Sequence, residues 1–189
     1  CYDGKIGEIN KVDYERIGER MHVEVLNLKF TDKDSYLDLV KKSMGQGKDL
    51  ILECACAEAA AAALELCASE KPILNGATPE NYAEMVEIAK KYDVVLGVSA
   101  ADIDALYDTT AAIEAAGYKN LILDVTGADV KETYANAIQV RRAALKNQDR
   151  TFGYPSIVNV SKIAPEDTDL QTALASMFVL KYGSIIVMD

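Results

Sequence analysis

The chain of 189 residues has no tryptophan, one histidine (His22), three phenylalanines and four prolines. A lone histidine cannot supply a metal site, and no Asp or Cys stands at ligand spacing from it. No Ser–His–Asp set, HExxH helix or dinucleotide fingerprint is present. His22 reads as a surface or strand-edge residue. Gly45-Gln46-Gly47-Lys48 has the wrong glycine spacing for a phosphate loop, and Asp49 replaces the needed Ser or Thr, so it reads as a helix end and turn. No apolar run approaches the ~20 residues of a bilayer span. Cys1-Tyr2-Asp3-Gly4-Lys5 opens no signal-peptide core and lacks Met, as expected of a segment of a longer chain. The four cysteines, Cys1, Cys54, Cys56 and Cys67, match neither a CxxC pair nor the usual zinc or iron–sulfur spacings. They read as small buried residues in a reducing cytoplasm. Basic charge is scarce as well: 30 acidic residues against 20 basic give a net charge of -10. Such a chain repels phosphate backbones, which excludes nucleic acid as a partner in the absence of a basic patch. The largest basic cluster, Arg141, Arg142, Lys146 and Arg150, falls at helical spacing and reads as a solvated face.

What is present is regular alternation. Half of the residues are hydrophobic, enough for one sizeable core. Short β-branched runs occupy 22–30, 49–55, 72–75, 94–99, 120–125, 156–160 and 184–188. Amphipathic stretches occupy 33–45, 57–69, 79–91, 101–116, 129–147 and 166–182. Thr78-Pro79 predicts an N-cap followed by proline at the first helical position. Asp129 with Glu132 predicts a capping-box-like start, and Gly117 and Gly183 predict left-handed helix ends. Strands that are apolar throughout suit a parallel sheet covered by helices. The fold class is α/β. A seven-stranded doubly wound sheet is possible, but no glycine-rich loop follows the first strand. A TIM-type (β/α)8 barrel is preferred, incomplete here, with about seven parallel strands and six helices. The length supports incompleteness, because a full barrel takes ~250 residues.

Function in parallel α/β folds gathers at the C-terminal ends of the strands. Glu53, Cys54, Asn75, Ser99, Asp124, Thr126, Asn159, Ser161 and Asp189 stand there. Asn75, Ser99, Asp124 and Asn159 are the candidate ligand-binding residues. Each has a structural alternative: Ser99 reads as a helix cap with Asp102 three residues on, and Asn75 as the start of a turn through Gly76. Asp124 and Asn159 interrupt apolar strands, where an unpartnered polar group is costly. Pterin-binding methyltransferase barrels place Asp and Asn at such strand ends, a fold-level analogy only. Neither a catalytic residue nor a metal-ligand set is identified.

Several stretches together resemble one family. They are Ile9-Asn10 through Asp13-Tyr14-Glu15-Arg16-Ile17-Gly18, Lys71-Pro72-Ile73-Leu74, Ala77 to Met85, and Leu121-Ile122-Leu123-Asp124. Gln139-Val140-Arg141-Arg142-Ala143-Ala144, Phe152-Gly153-Tyr154-Pro155 and the segment from Val179 to Val187 are the strongest. Their order over residues 9–189 resembles the large (gamma) subunit of the corrinoid iron–sulfur protein of the acetyl-CoA synthase/decarbonylase system. The resemblance implies a cytoplasmic methyl carrier. A cobalamin-type corrinoid and a 4Fe-4S cluster would sit on domains outside this segment. The implied partners are the small subunit, a methyltransferase and acetyl-CoA synthase. Residues 1–189 would form the central barrel domain from its second strand to its eighth, acting as scaffold and heterodimer platform. One departure is Val125-Thr126-Gly127 after Asp124, where the family tends to have Pro-Gly.

Overall fold

A computed structural model describes residues 2–189, apart from the side chain of Asp3. Cys1, one of the four cysteines considered above, lies outside the described residues. The chain opens with helix α1 (Tyr2–Lys11) and an antiparallel hairpin, β1 (Asp13–Arg16) and β2 (Glu19–His22). Six strand–helix units follow: β3 (Val25–Lys29) with α2 (Lys33–Ser43), β4 (Asp49–Glu53) with α3 (Ala57–Cys67), and β5 (Ile73–Ala77) with α4 (Tyr82–Tyr92). Then come β6 (Val95–Val98) with α5 (Ile103–Ala115), β7 (Leu121–Asp124) with α6 (Val130–Lys146), and β8 (Ser156–Asn159) with the one-turn α7 (Val160–Ile163) and α8 (Thr168–Val179). Strand β9 (Ile185–Val187) comes last. The seven strands β3 to β9 pair in chain order, all parallel, and curve into a nearly closed barrel. No pairing joins β3 to β9 among the described residues.

Strand alternation builds two apolar layers. Leu50, Leu52, Leu74, Leu96 and Leu123 face outward and meet Tyr36, Leu64, Met85, Ile113 and Phe178 of the helices. Ile51, Ile122 and Ile157 face inward, with Val25, Ile73, Val95 and Ile185 beside them. The next inward position on most strands is polar, which sets the stage for the barrel mouth.

Helix starts follow side-chain chemistry. Asp32, Asp102, Asp129 and Asp167 each accept a backbone N–H of the first turn of α2, α5, α6 and α8. Glu132 also accepts from Ala128 N–H at 2.9 Å, completing the reciprocal arrangement expected at Asp129.

Six expectations change. Helix α4 starts at Tyr82 after Asn81, so Thr78-Pro79 forms a preceding turn, tied by Thr78 N–H donating to Asn81 Oδ1 at 2.7 Å. The cap of α5 is Asp102, not Ser99. Asn75 lies inside β5 and starts no turn. Gly117 is left-handed, with φ of 84°, but Gly183 is not; its lack of a Cβ makes room for Ile186 instead. There are eight helices rather than six among the described residues, because α1 and α7 are added. Strand β3 starts at Val25, and His22 sits exposed in the hairpin opposite Asp13.

Candidate functional site

The inward polar positions meet at the C-terminal mouth of the barrel. Asn27 on β3 donates from Nδ2 to Glu53 Oε2 on β4 at 2.7 Å. Lys162, in the α7 turn after β8, reaches back across the mouth. Its Nζ lies 3.0 Å from Glu53 Oε1 and 3.8 Å from Asp124 Oδ2 on β7. Asn75 on β5 donates from Nδ2 to the same Asp124 oxygen at 3.4 Å, and Thr126 N–H donates to Asp124 Oδ1 at 3.1 Å. One chain of contacts therefore links β3, β4, β5, β7 and the turn after β8.

The electrostatics follow from this arrangement. Burial pushes the Glu53 carboxyl up, but the Asn27 hydrogen bond and the Lys162 ammonium outweigh it, and the net direction is down. Burial disfavours the Lys162 ammonium, yet Asp124 and Glu53 more than offset this and hold its proton more tightly than usual. A cation shared by two carboxylates offsets part of the cost of burying them.

Asn159 serves a neighbouring knot. Its Oδ1 accepts from Ser161 Oγ at 2.7 Å and from Lys162 N–H at 3.2 Å, which orients the turn carrying Lys162. Its own N–H donates to Thr126 Oγ1 at 2.8 Å. Gln171 binds Asp189 twice, accepting from Asp189 N–H at 3.0 Å and donating to Asp189 Oδ2 at 3.2 Å.

Three of the four candidate residues thus lie in this polar layer: Asn75, Asp124 and Asn159. Ser99 does not join it; its N–H donates to Ala77 O as an extension of the sheet. Asn27 and Lys162 escape a sequence reading. Lysine just past a strand looks like an ordinary surface residue. Its signal is its position three residues after Asn159, which a one-turn helix folds back over the mouth.

Two atoms stand out. Asn27 Oδ1 and Asn75 Oδ1 are buried with no hydrogen-bond partner. Gly97 lies under the Asn75 side chain; a Cβ there would come within 2.9 Å of Asn75 Cα and closer still to Oδ1. A cavity of about 1200 Å³ opens beside Asn27, Glu53, Asn159 and Lys162, on the side where β3 and β9 fail to pair; α1 lines its outer wall.

The chemistry of this donor set does not suit a 4Fe-4S cluster, which takes four thiolates. Cys54 and Cys67 are buried, Cys56 is exposed, and no three His, Cys, Asp or Glu side chains gather as a metal site among the described residues. No helix among the described residues is long and apolar enough to cross a membrane.

Known proteins place this architecture. Dihydropteroate synthase from Thermus thermophilus, solved with 4-aminobenzoate, superposes with a TM-score of 0.58 over 89% of each chain at 17% identity. That likeness supports the barrel fold alone. The acetyl-CoA decarbonylase/synthase complex subunit gamma of Archaeoglobus fulgidus is 33% identical over 166 residues, 82% of this chain and 35% of the relative. The corrinoid/iron-sulfur protein large subunit of Moorella thermoacetica is 29% identical over 187 residues, 97% of this chain and 41% of the relative. The chain therefore spans well under half the length of these curated relatives. The family described as CO dehydrogenase/acetyl-CoA synthase delta subunit matches residues 4–189. With nearly every residue matched and a nearly closed parallel barrel beneath them, the chain belongs to the CO dehydrogenase/acetyl-CoA synthase delta subunit family, alongside gamma and large-subunit relatives.

Proposed function

We propose that this barrel is the central domain of a corrinoid iron–sulfur methyl-carrier subunit, and that it serves as scaffold and heterodimer platform. The system would move a methyl group from a methyltetrahydropterin to acetyl-CoA synthase in the cytoplasm. The corrinoid would supply the methyl-accepting centre, and it and the 4Fe-4S cluster would be held on domains outside residues 1–189. One observation carries the scaffold reading: the buried carboxylates of the mouth are partnered within the chain, Glu53 and Asp124 sharing the Lys162 ammonium and accepting hydrogen bonds from Asn27 and Asn75. Carboxylates held in this way brace a barrel and offer no free acid or base. The unpaired edges of β3 and β9 support a second part of the proposal. Residues 1–189 would hold strands two to eight, and the missing strand would come from elsewhere in a longer polypeptide.

The test adds hydroxocobalamin to the purified chain and follows its absorption spectrum, then captures the small subunit on the immobilised chain. An unshifted corrinoid spectrum with small-subunit capture is expected. A shifted cobalt band, or failure of capture, overturns the assignment.

A second reading is favoured by the orphaned carbonyls of Asn27 and Asn75. Here the mouth, with Asn75, Asp124 and Asn159, binds a polar ligand as a pterin-dependent methyltransferase-like barrel would. The partnerless oxygens call for ligand N–H donors, and the cavity beside Asn27 has room.

A further inference from the structure

At the opposite end of the barrel, the C-terminal halves of α6 and α8 flank a cavity of about 400 Å³. Its floor is small and apolar, with Ala137, Val140 and Ala144 against Phe152. Its rim mixes polar and apolar side chains, and the apolar ones are open to solvent: Leu145 is 68% exposed, Val179 63% and Leu180 84%. Large hydrophobic side chains left this exposed and adjacent mark a contact surface rather than a packing accident.

The charge around this groove runs against the rest of the molecule. The chain carries 30 acidic residues, yet 135–148 and 170–188, the two stretches that build the groove, contain none. They contain Arg141, Arg142, Lys146 and Lys181 instead, all exposed. Arg141 has a structural task, donating from Nη1 to Lys181 O at the end of α8 at 3.0 Å. A cation at a helix C-terminus also complements its dipole. Arg142 and Lys146 lie on the other face of α6, so the groove's basic rim is Arg141 and Lys181, and no carboxylate lines it.

We infer that this groove docks an acidic amphipathic helix of a partner protein, its apolar side chains entering between α6 and α8 and its carboxylates meeting the basic rim. The inference deepens the platform reading and rests on it for the partner's place in the assembly. A helix laid in a groove anchors at i, i+3, i+4 and i+7, and the cavity is of the size that accepts one or two such anchors. Nucleic acid fits less well, because the strongly acidic remainder of the chain repels a polyanion beyond the rim.

The test uses two fluorescein-labelled helical peptides of about 18 residues, each with leucine anchors on one face. One carries glutamate on the other face, the second lysine. Binding to the 189-residue chain is read by fluorescence anisotropy at low and high salt. The acidic peptide is expected to bind at least about tenfold tighter than the basic one, and to weaken as salt rises. Leu180→Asp, at a position too exposed to disturb the core, is expected to weaken binding about tenfold with an unchanged thermal melt. Lys181→Glu, which reverses a charge on the rim, is expected to remove most of the preference for the acidic peptide. Equal binding of the two peptides, binding untouched by Leu180→Asp, or tighter binding of polyuridylate RNA than of the acidic peptide overturns the inference. Small-subunit capture by wild type and Leu180→Asp alike keeps the platform and removes this groove from it; capture by neither removes the platform, and the peptides alone then decide the groove.

Discussion

Replacing Lys162 with methionine keeps the aliphatic stem and removes the charge. Glu53 and Asp124 then face each other across the mouth, 16% and 3% exposed at their side chains. Removing one partner of a fully buried pair costs about 3–5 kcal/mol, whereas a fully exposed pair is worth about 0–1 kcal/mol. The Lys162 side chain is 41% exposed, and Asn27 and Asn75 still donate to the carboxylates. The expected loss at pH 7 is therefore about 2 kcal/mol, or a melting temperature lower by about 4–8 °C for a chain of this size. The pH dependence has a definite sign. In the wild type the Glu53 carboxyl is held below its ordinary value, burial opposing this and Asn27 and Lys162 prevailing. Its contribution is complete above the unfolded carboxyl's range and fades as pH falls through the lower folded value. Without Lys162, burial dominates and pushes the carboxyl up, so protonation relieves the variant first. The gap between the two proteins must narrow as the pH falls from 7 toward about 4. Urea melts at both pH values measure this. A loss under about 0.5 kcal/mol at pH 7, or a gap that fails to narrow in acid, would refute the reasoning.

Three other predictions follow from particular contacts. The Tyr36 hydroxyl is buried without a partner, so Tyr36→Phe is expected to raise stability by about 1 kcal/mol in urea melts while keeping the edge contact with Phe30. Gly97→Ala pushes a methyl group against the Asn75 backbone and is expected to cost about 1–3 kcal/mol, read by the same melts. Burial pushes the Cys67 thiol up to about 11 and the Cys54 thiol up as well, while Cys56 is exposed. In a Cys1→Ser background, a disulfide reagent at pH 8 should titrate one thiol in the native protein; rapid reaction of all three would contradict the packing.

Much of the barrel was legible because strand and helix periods alternate without interruption and Asp129 with Glu132 marks the start of α6. The hairpin was not. Its two-residue turn places Ile17 and Gly18 at φ of 53° and 78°, and a β-branched residue in that conformation carries no hairpin signal. Helix α1 contains Gly4 and Gly7, which weaken its propensity signal; its fold comes from Ile6 and Ile9 packing on the core. At the mouth, Asp124 and Asn159 were visible as polar breaks in apolar strands. Asn75 was visible as a strand-end residue but misplaced in a turn. Lys162 was invisible, because its partners come from β4 and β7, far away in sequence. The exposed basic and apolar end of α6 read as a solvated face, since one helix alone does not reveal the groove it forms with α8.

In the proposed role the polar mouth braces a scaffold and takes no ligand. Calorimetric titration of methyltetrahydrofolate into the chain tests it most directly. No binding heat is expected from wild type, and none from Asp124→Ala. Saturable binding to wild type that disappears in Asp124→Ala would contradict the claim and establish the mouth as a ligand site.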